Sequence, residues 1–338
     1  MMNSIEIERQ TKKINIAFCF DGNLWMQAGV AIASLLHHSK DKCSYHIYCV
    51  VSEDINQIHR SELENIMRAQ DPESSIIFLE ANHDFDQSYF DKFTVAIYYR
   101  LMLPQLLPHL DKIIYSDVDV IFCNDMGEAD QIDLGDHLIA GVKDTFNLSK
   151  AERRKKRKWK PLDDRQYLCS GFLIMNLKAL RNQNLYNSWI ELSKNTAFNY
   201  PDQDVLNYTC RGRKLSIHLK YSFIPMGQKN YDKCLGENIF LRQEYGEAIN
   251  KPTILHYAGL KPWNNAVPLG ELWWKYAKIT PFFDIFILQR TAPFATLEKN
   301  FYLFHFIPLL REKIEGNKIK YYLFRFIPFC KIKSKILK

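Results

Sequence analysis

Asp117-Val118-Asp119 sets two carboxylates two positions apart, at the end of the apolar run Ile113-Ile114-Tyr115. In extended backbone, residues two apart point to one side, so both can offer oxygen to a single ion. Hard carboxylate oxygens suit Mn²⁺ or Mg²⁺, which are often held by few carboxylates together with phosphate oxygens of a substrate. Two uncompensated carboxylates beside buried apolar residues repel each other, and burial makes that costly unless a cation intervenes. A third candidate ligand is His256, within Ile254-Leu255-His256-Tyr257-Ala258-Gly259-Leu260-Lys261-Pro262-Trp263. There an apolar run precedes Gly, Lys, Pro and Trp, a combination suited to wrapping backbone and a cation around a phosphate. A bare Asp-x-Asp is common in surface loops and a lone His is more often structural. The reading therefore rests on their context.

The elements that must position these groups follow an alternating rhythm. Ile14 to Phe20, Tyr45 to Val51, Ser75 to Leu79, Lys112 to Ser116 and Gly171 to Leu177 read as buried strands. Gln27 to His38, Asp54 to Ala69 and Val95 to Leu106 read as helices, and Leu177 to Thr196 as a long one. Strands alternating with helices predict an α/β chain, a mainly parallel sheet flanked by helices. Ligands of such sheets bind outside the carboxyl ends of the strands. Asp21-Gly22-Asn23 and Asp117-Val118-Asp119 both follow strand ends of this kind. Between two of the strands, Arg153 to Lys158 is a charge run read as a solvated face or a loop over an anionic ligand.

Bulk composition excludes several classes. Hydrophobic residues make up 47% and charged residues 25% of 338, which fits a folded chain rather than a disordered one. The net charge is +7, but residues 299–338 hold ten Lys/Arg against two Glu, which leaves −1 on the first 298. Most of the chain therefore has no charge-based reason to seek nucleic acid. Eight cysteines occur without a C-x-x-C pair, so they read as reduced thiols of a cytoplasmic protein. The first residues lack an apolar signal region, and no run reaches the about 18 uncharged apolar residues that a spanning helix needs.

In order along the chain stand Phe20-Asp21-Gly22-Asn23, Tyr98-Tyr99-Arg100-Leu101, Asp117-Val118-Asp119, Ser170-Gly171-Phe172 with Asn176-Leu177, Asp202-Gln203-Asp204, and the His256 to Trp263 segment. Together, over roughly residues 14 to 280, these blocks resemble retaining glycosyltransferase family 8, which includes bacterial lipopolysaccharide galactosyl- and glucosyltransferases. The resemblance implies a nucleotide-sugar-binding, Rossmann-like GT-A fold and transfer of galactose or glucose from a UDP-hexose to a lipopolysaccharide or related surface glycan. It implies that Asp117, Asp119 and His256 hold Mn²⁺ with the donor diphosphate. Asp21 and Asn23 would contact the uridine, and Gly259 and Lys261 the diphosphate. Arg100 and Asp202 would position the donor sugar, with Gln203 beside the anomeric carbon. Asp144 falls where the family has an acceptor-side carboxylate.

Two departures stand out: Cys169 occupies a position where the family usually has Asn, and the His256-to-Lys261 spacing is one residue shorter than in the similar bacterial enzymes. Retention allows same-face attack through an oxocarbenium-like ion pair, or double displacement through an enzyme nucleophile. Gln203 carries no full charge and suits the first route, and Asp204 is the conceivable nucleophile for the second. The competing classes are a non-catalytic nucleotide-sugar or glycan-binding protein and a sugar nucleotidyltransferase. A complete metal site speaks against the first, and the lack of a Gly-rich phosphate loop near the N-terminus against the second.

The C-terminal region repeats itself: Phe301 to Pro308 recurs as Tyr321 to Pro328, each copy followed by basic residues. Nine Phe/Tyr and a net +8 over residues 299–338 predict attachment to an anionic membrane. A proline in each copy argues for two short interfacial segments rather than a span. The expected organisation is a catalytic domain over 1–284 and a membrane-association region over 285–338, peripheral on the inner face of a bacterial inner membrane and facing a glycan or lipid-linked acceptor.

Overall fold

The computed structural model describes residues 12–39, 42–89, 93–144, 166–198, 200–226, 228–235, 239–291, 296–303, 307–315, 318–323 and 327–333. The Arg153 to Lys158 run lies outside them. Two compact units divide the chain, Met1–Thr280 and Pro281–Lys338.

The first unit opens with β1 (Lys12–Phe20), α1 (Trp25–Ser39), β2 (Cys43–Val51), α2 (Gln57–Gln70) and β3 (Ser75–Glu80). A 3-10 turn at Val95–Tyr98 runs into α3 (Tyr99–Leu106), followed by β4 (Lys112–Ser116), β5 (Val120–Phe122), α4 (Gly127–Asp130), β6 (Ile139–Lys143) and β7 (Leu168–Asn176). Next come α5 (Leu177–Asn182), α6 (Tyr186–Ser193), α7 (Pro201–Thr209), β8 (Lys214–Ile217), a second 3-10 turn (Leu219–Ser222), α8 (Gln228–Leu235), α9 (Ile239–Asn250), β9 (Ile254–His256) and α10 (Gly270–Ala277).

The central sheet has the order β3-β2-β1-β4-β7-β6-β8. β1 pairs parallel with β2 and β4, β2 with β3, and β6 with β8, whereas β7 runs against both β4 and β6. The sheet is thus mainly parallel, as the strand and helix rhythm predicts. One face carries Ala17, Cys19, Tyr48, Val50, Ile113, Tyr115, Leu173 and Met175, which pack with Tyr98, Leu101 and Met102 of the segment through α3 and with Trp189 of α6. On the other face, Phe18 of β1 meets Phe122 of β5 edge to face at 6.1 Å. Strands buried on both faces read as continuous apolar runs, and this explains why periodicity found them but not their direction.

Local chemistry sets the boundaries. The helix expected from Asp54 begins only at Gln57, because Asn56 Oδ1 accepts from the backbone N–H groups of Ile58 (2.9 Å) and His59 (3.2 Å). The expected long helix from Leu177 is instead two short ones, α5 and α6, broken where Asn184 takes φ 52°. Asparagine tolerates this left-handed backbone better than most residues, and a helix cannot run through it.

The order β3-β2-β1-β4 means that the chain works outward from β1 and then returns to β4 on its other side. β1 and β4 therefore flank a switch point, and the crevice beyond their carboxyl ends is the expected ligand site of an open α/β sheet.

In the second unit, α11 (Phe283–Thr291) precedes an antiparallel meander of β10 (Thr296–Leu303), β11 (Ile307–Glu315), β12 (Lys318–Leu323) and β13 (Ile327–Lys333). The sequence repeat becomes two matching hairpins: Tyr302 pairs with Pro308 and Tyr322 with Pro328, each beside a register shift. Proline donates no ladder hydrogen bond, so an irregular position suits it in both copies. The interfacial segments expected from the sequence are thus strands.

Candidate active site

Beyond β1, the backbone turns through Asp21-Gly22-Asn23. Asp21 Oδ1 accepts from Asn23 N–H at 3.0 Å and its Oδ2 accepts from Asn23 Nδ2 at 3.3 Å. From the end of β2, Asp54 accepts the Gly22 N–H at 3.1 Å on each carboxylate oxygen. Two strand ends thereby hold one turn, and Asp54 had no signal in the sequence.

Beyond β4, the Asp117 N–H donates to Gly171 O of β7 at 2.8 Å, and the Tyr257 N–H donates to Asp119 O at 2.9 Å. β5 and β9 form a separate two-stranded ladder with Val120 opposite His256. These pairings bring together groups 139 residues apart in the chain: suitable ligand atoms of Asp117, Asp119 and His256 all lie within 4.8 Å of one another. His256 Nε2 is 3.3 Å from Asp119 Oδ1 and 3.7 Å from Asp117 Oδ2.

Each carboxylate's other oxygen is already engaged. Asp117 Oδ1 meets Arg100 Nη2 at 2.9 Å and the Tyr115 hydroxyl, while Asp119 Oδ2 meets Lys261 Nζ. Asp119 Oδ1 is buried and makes no well-aligned hydrogen bond, although His256 Nε2 stands 3.3 Å from it. A buried acceptor of this kind is costly unless something occupies the space before it. Two carboxylate oxygens and an imidazole nitrogen fit a divalent cation, and this Asp119 oxygen faces the same point. Burial works to lower the His256 pKa, but the Asp119 carboxylate outweighs it and holds the ring up to about 10, so a cation binding at Nε2 would displace a proton from it. Burial likewise favours neutral Asp119, yet Lys261 and His256 hold its carboxyl well below the usual range.

The ring of His256 is enclosed. Its Nδ1 lies 3.0 Å from Ser222 Oγ, the Cys169 side chain lies beside it, and a Cβ added to Gly171 would stand 2.2 Å from its Cε1. Cys169, the departure noted in the sequence, thus lies against a candidate metal ligand.

Arg100 joins this cluster to the next. It is buried, with Nη1 donating to Ser170 O at 2.7 Å and lying 3.3 Å from Asp202 Oδ2, while its guanidinium stacks 4.6 Å from the Tyr115 ring centroid. Burial raises the pKa of Asp202, with Arg100 and the Ser170 hydroxyl working against it. Asp202 opens α7, where Pro201 at the first turn and the acids Asp202 and Asp204 suit the helix N-terminus.

Next along α7, Gln203 Oε1 accepts from Ser170 N–H at 2.8 Å and its Nε2 donates to Asp144 Oδ2 at 2.7 Å. The backbone donor and the carboxylate acceptor fix which way this amide faces. Asp204 is 1% exposed and accepts from the Tyr167 hydroxyl and the Tyr200 N–H. Asn207 ties α7 to β7 by accepting from Leu168 N–H and donating to Leu168 O, each at 2.8 Å.

Gly259 carries φ 138°, a backbone that favours glycine, in the loop leading to Lys261. Tyr257 Oη donates to Leu269 O at 2.7 Å and Trp274 Nε1 to Pro262 O at 3.2 Å, so both sides of this loop are tied to the segment around α10. Lys261 Nζ also donates to Tyr257 O at 2.9 Å.

The chain belongs to glycosyltransferase family 8, whose model, Glycosyl transferase family 8, matches residues 15–266. A putative glycosyltransferase of Haemophilus influenzae is 28% identical over 220 residues, 64% of each chain. The lipopolysaccharide 1,2-glucosyltransferase of Escherichia coli K12 is 28% identical over 262 residues, 74% of this chain and 73% of that one. Among solved structures, the galactosyltransferase LgtC in complex with donor and acceptor sugar analogs superposes with a TM-score of 0.66 at 22% identity, covering 79% of this chain and 96% of LgtC. The bifunctional glycosyltransferase WbbM gives 0.69 at 24% identity, covering 86% of this chain but 53% of WbbM. The match thus spans less than two thirds of the Haemophilus relative and about half of WbbM. The mostly parallel sheet with flanking helices is the GT-A fold of these glycosyltransferases.

Proposed function

We propose that the protein transfers a galactose or glucose from a UDP-sugar to a lipopolysaccharide or related surface glycan, with a divalent cation, Mn²⁺ or Mg²⁺, and retention of anomeric configuration. The observation that carries this reading is the convergence of Asp117, Asp119 and His256 beside the Arg100, Asp202 and Gln203 chain, at the switch point between β1 and β4. The similarity to the Escherichia coli lipopolysaccharide 1,2-glucosyltransferase supports the acceptor class.

Departure of UDP builds negative charge on the diphosphate, and a cation bound by the three ligands would supply Lewis-acid stabilisation there. Lys261 adds a second positive group and Gly259 backbone that approaches closely. Asp21 and Asn23 take the uridine at the end of β1, and Arg100 and Asp202 orient the sugar. Gln203 lends its amide dipole to the developing cation on the anomeric carbon, and its link to Asp144 leads toward the acceptor side. For Asp204 to act as a nucleophile it must give up Tyr167 and Tyr200, so same-face attack is the preferred route.

Incubation with UDP-glucose and UDP-galactose in the presence of Mn²⁺ should release UDP, and a glycan product should keep the donor's α configuration by NMR. Pyrophosphate release or an inverted product contradicts the reading. Gln203→Ala should lower kcat by roughly 10²- to 10³-fold, with donor KM changed only a few-fold. A sugar adduct trapped on Asp204, with loss of turnover in Asp204→Asn, would instead establish double displacement.

The basic tail supports attachment to an anionic membrane. No helix among the described residues is long and apolar enough to cross one. In the meander, Lys320 is in register with Lys313 on one side and Lys331 on the other, and Lys318 with Lys333. With about 1 kcal/mol for each basic residue near an anionic leaflet, replacing Lys313, Lys320 and Lys331 by Gln should weaken vesicle binding on the order of 10²-fold at low salt. Unchanged co-sedimentation with anionic vesicles would argue against the tail as anchor.

A further inference from the structure

Ser222 is absent from every sequence block described above, yet it stands 34 residues before His256 and reaches its ring. It closes the 3-10 turn Leu219–Ser222 and is 4% exposed, with Oγ 3.0 Å from His256 Nδ1. The adjoining backbone is locked to the strand that carries His256: the Phe223 N–H donates to Ile254 O at 2.9 Å, and the His256 N–H to Phe223 O at 2.8 Å. The hydroxyl and the ring are thus held by one short stretch of paired backbone. Phe223 is itself buried, and Tyr221 stacks on Phe172 of β7, so neither flank of Ser222 is free to drift.

We propose that Ser222 is a positioning residue for the cation, resting on the metal-site reading above. With its hydroxyl oxygen at Nδ1, the ring can carry its hydrogen there and present the Nε2 lone pair toward Asp117 Oδ2 and Asp119 Oδ1. A ring flipped by half a turn would aim carbon at the carboxylates and forfeit the Ser222 contact. The Cys169 side chain also lies near the ring, but sulfur is a weak hydrogen-bond partner and does not substitute for the hydroxyl. Gly171 closes another side of the ring and leaves Ser222 as the oxygen that sets its orientation.

The test is Mn²⁺ affinity of the full chain without nucleotide, read by electron paramagnetic resonance titration, together with ¹⁵N-histidine NMR of the ring. Ser222→Ala should weaken Mn²⁺ binding roughly 10- to 100-fold and remove the protected Nδ1–H signal, while Ser222→Thr keeps both. His256→Ala, which loses a ligand outright, sets the lower bound. If Ser222→Ala bound Mn²⁺ as tightly as wild type while His256→Ala did not, the assignment would be overturned and the metal site would stand. If wild type bound no Mn²⁺, the assignment and the metal reading would fall together. The NMR signal is independent of metal: a wild-type ring without an Nδ1–H bonded to Ser222 also overturns the proposal.

Discussion

Asp119→Asn is expected to abolish sugar transfer, with kcat/KM lowered by about 10³-fold or more. The substitution keeps the side chain's shape and removes its charge, so the loss reads the electrostatics of the site rather than a cavity. Asp119 Oδ1 is buried with no well-aligned hydrogen bond, only His256 Nε2 at 3.3 Å, and Oδ2 meets Lys261. An amide there donates as readily as it accepts, which sets a hydrogen-bond donor against either Lys261 or a cation. Lewis-acid stabilisation of a leaving diphosphate is worth several kcal/mol, which corresponds to about 10³-fold in rate. Asp117→Asn should behave alike, and it also loosens Arg100, which bonds Asp117 and Asp202 together. Single-turnover assays at saturating Mn²⁺ check this, with circular dichroism to confirm the fold. Transfer that survives both substitutions and chelation by EDTA would remove the metal from the mechanism.

Gly171→Ala should be nearly as damaging, although the change adds one methyl. The new Cβ would lie 2.2 Å from His256 Cε1 and 2.8 Å from Nδ1, far inside contact distance. A flexible side chain would move aside, but this ring cannot: Ser222 holds Nδ1 and β9 is paired to β5 and to Phe223. The strand cannot move either, since Gly171 O accepts the Asp117 N–H and the flanking Ser170 N–H binds Gln203. The strain therefore passes into the ligands. Displacing a catalytic group by about 1 Å costs on the order of 10²-fold in activity, and overpacking a core costs about 1–3 kcal/mol. Mn²⁺ affinity, kcat and the thermal midpoint should all fall in this variant. Wild-type values for all three would mean that His256 is not confined as described.

Much of this site was legible in the chain because strand ends announce themselves. Asp21 and Asp117 each follow an apolar run, and the α/β rhythm says that such ends share a crevice. His256 was legible only through its neighbours, Gly259 and Lys261, because a single imidazole has no periodicity to betray it. Ser222, Asp54 and Tyr115 were not singled out. The first two act from other elements, reaching the site through pairing that no local pattern encodes. Tyr115 lies two residues before Asp117, so the alternation that joined Asp117 to Asp119 could also have found its hydroxyl.

The fold shows the same division. The parallel half, β3-β2-β1-β4, is built from successive strand and helix pairs and was readable one unit at a time. The direction of β7 was not, because an apolar run buried on both faces looks the same in either orientation. The break at Asn184 rests on one residue's tolerance for left-handed backbone, which an apolar pattern spanning two helices conceals. In the C-terminal unit the repeat was visible as sequence. Its conversion into paired hairpins depends on β pairing, and its prolines excluded a helix without specifying strands.

The most direct test of the account is a crystal structure of the protein grown with Mn²⁺ and UDP, with anomalous data collected at the manganese edge. The account predicts one strong anomalous peak bounded by Asp117 Oδ2, Asp119 Oδ1 and His256 Nε2, with the diphosphate on the same ion and the uridine beside Asp21 and Asn23. Carboxylate and imidazole ligands should lie about 2.0–2.2 Å from it, as short first-row metal bonds require. A peak elsewhere, or UDP bound away from the crevice between β1 and β4 with those three side chains unchanged, would contradict it.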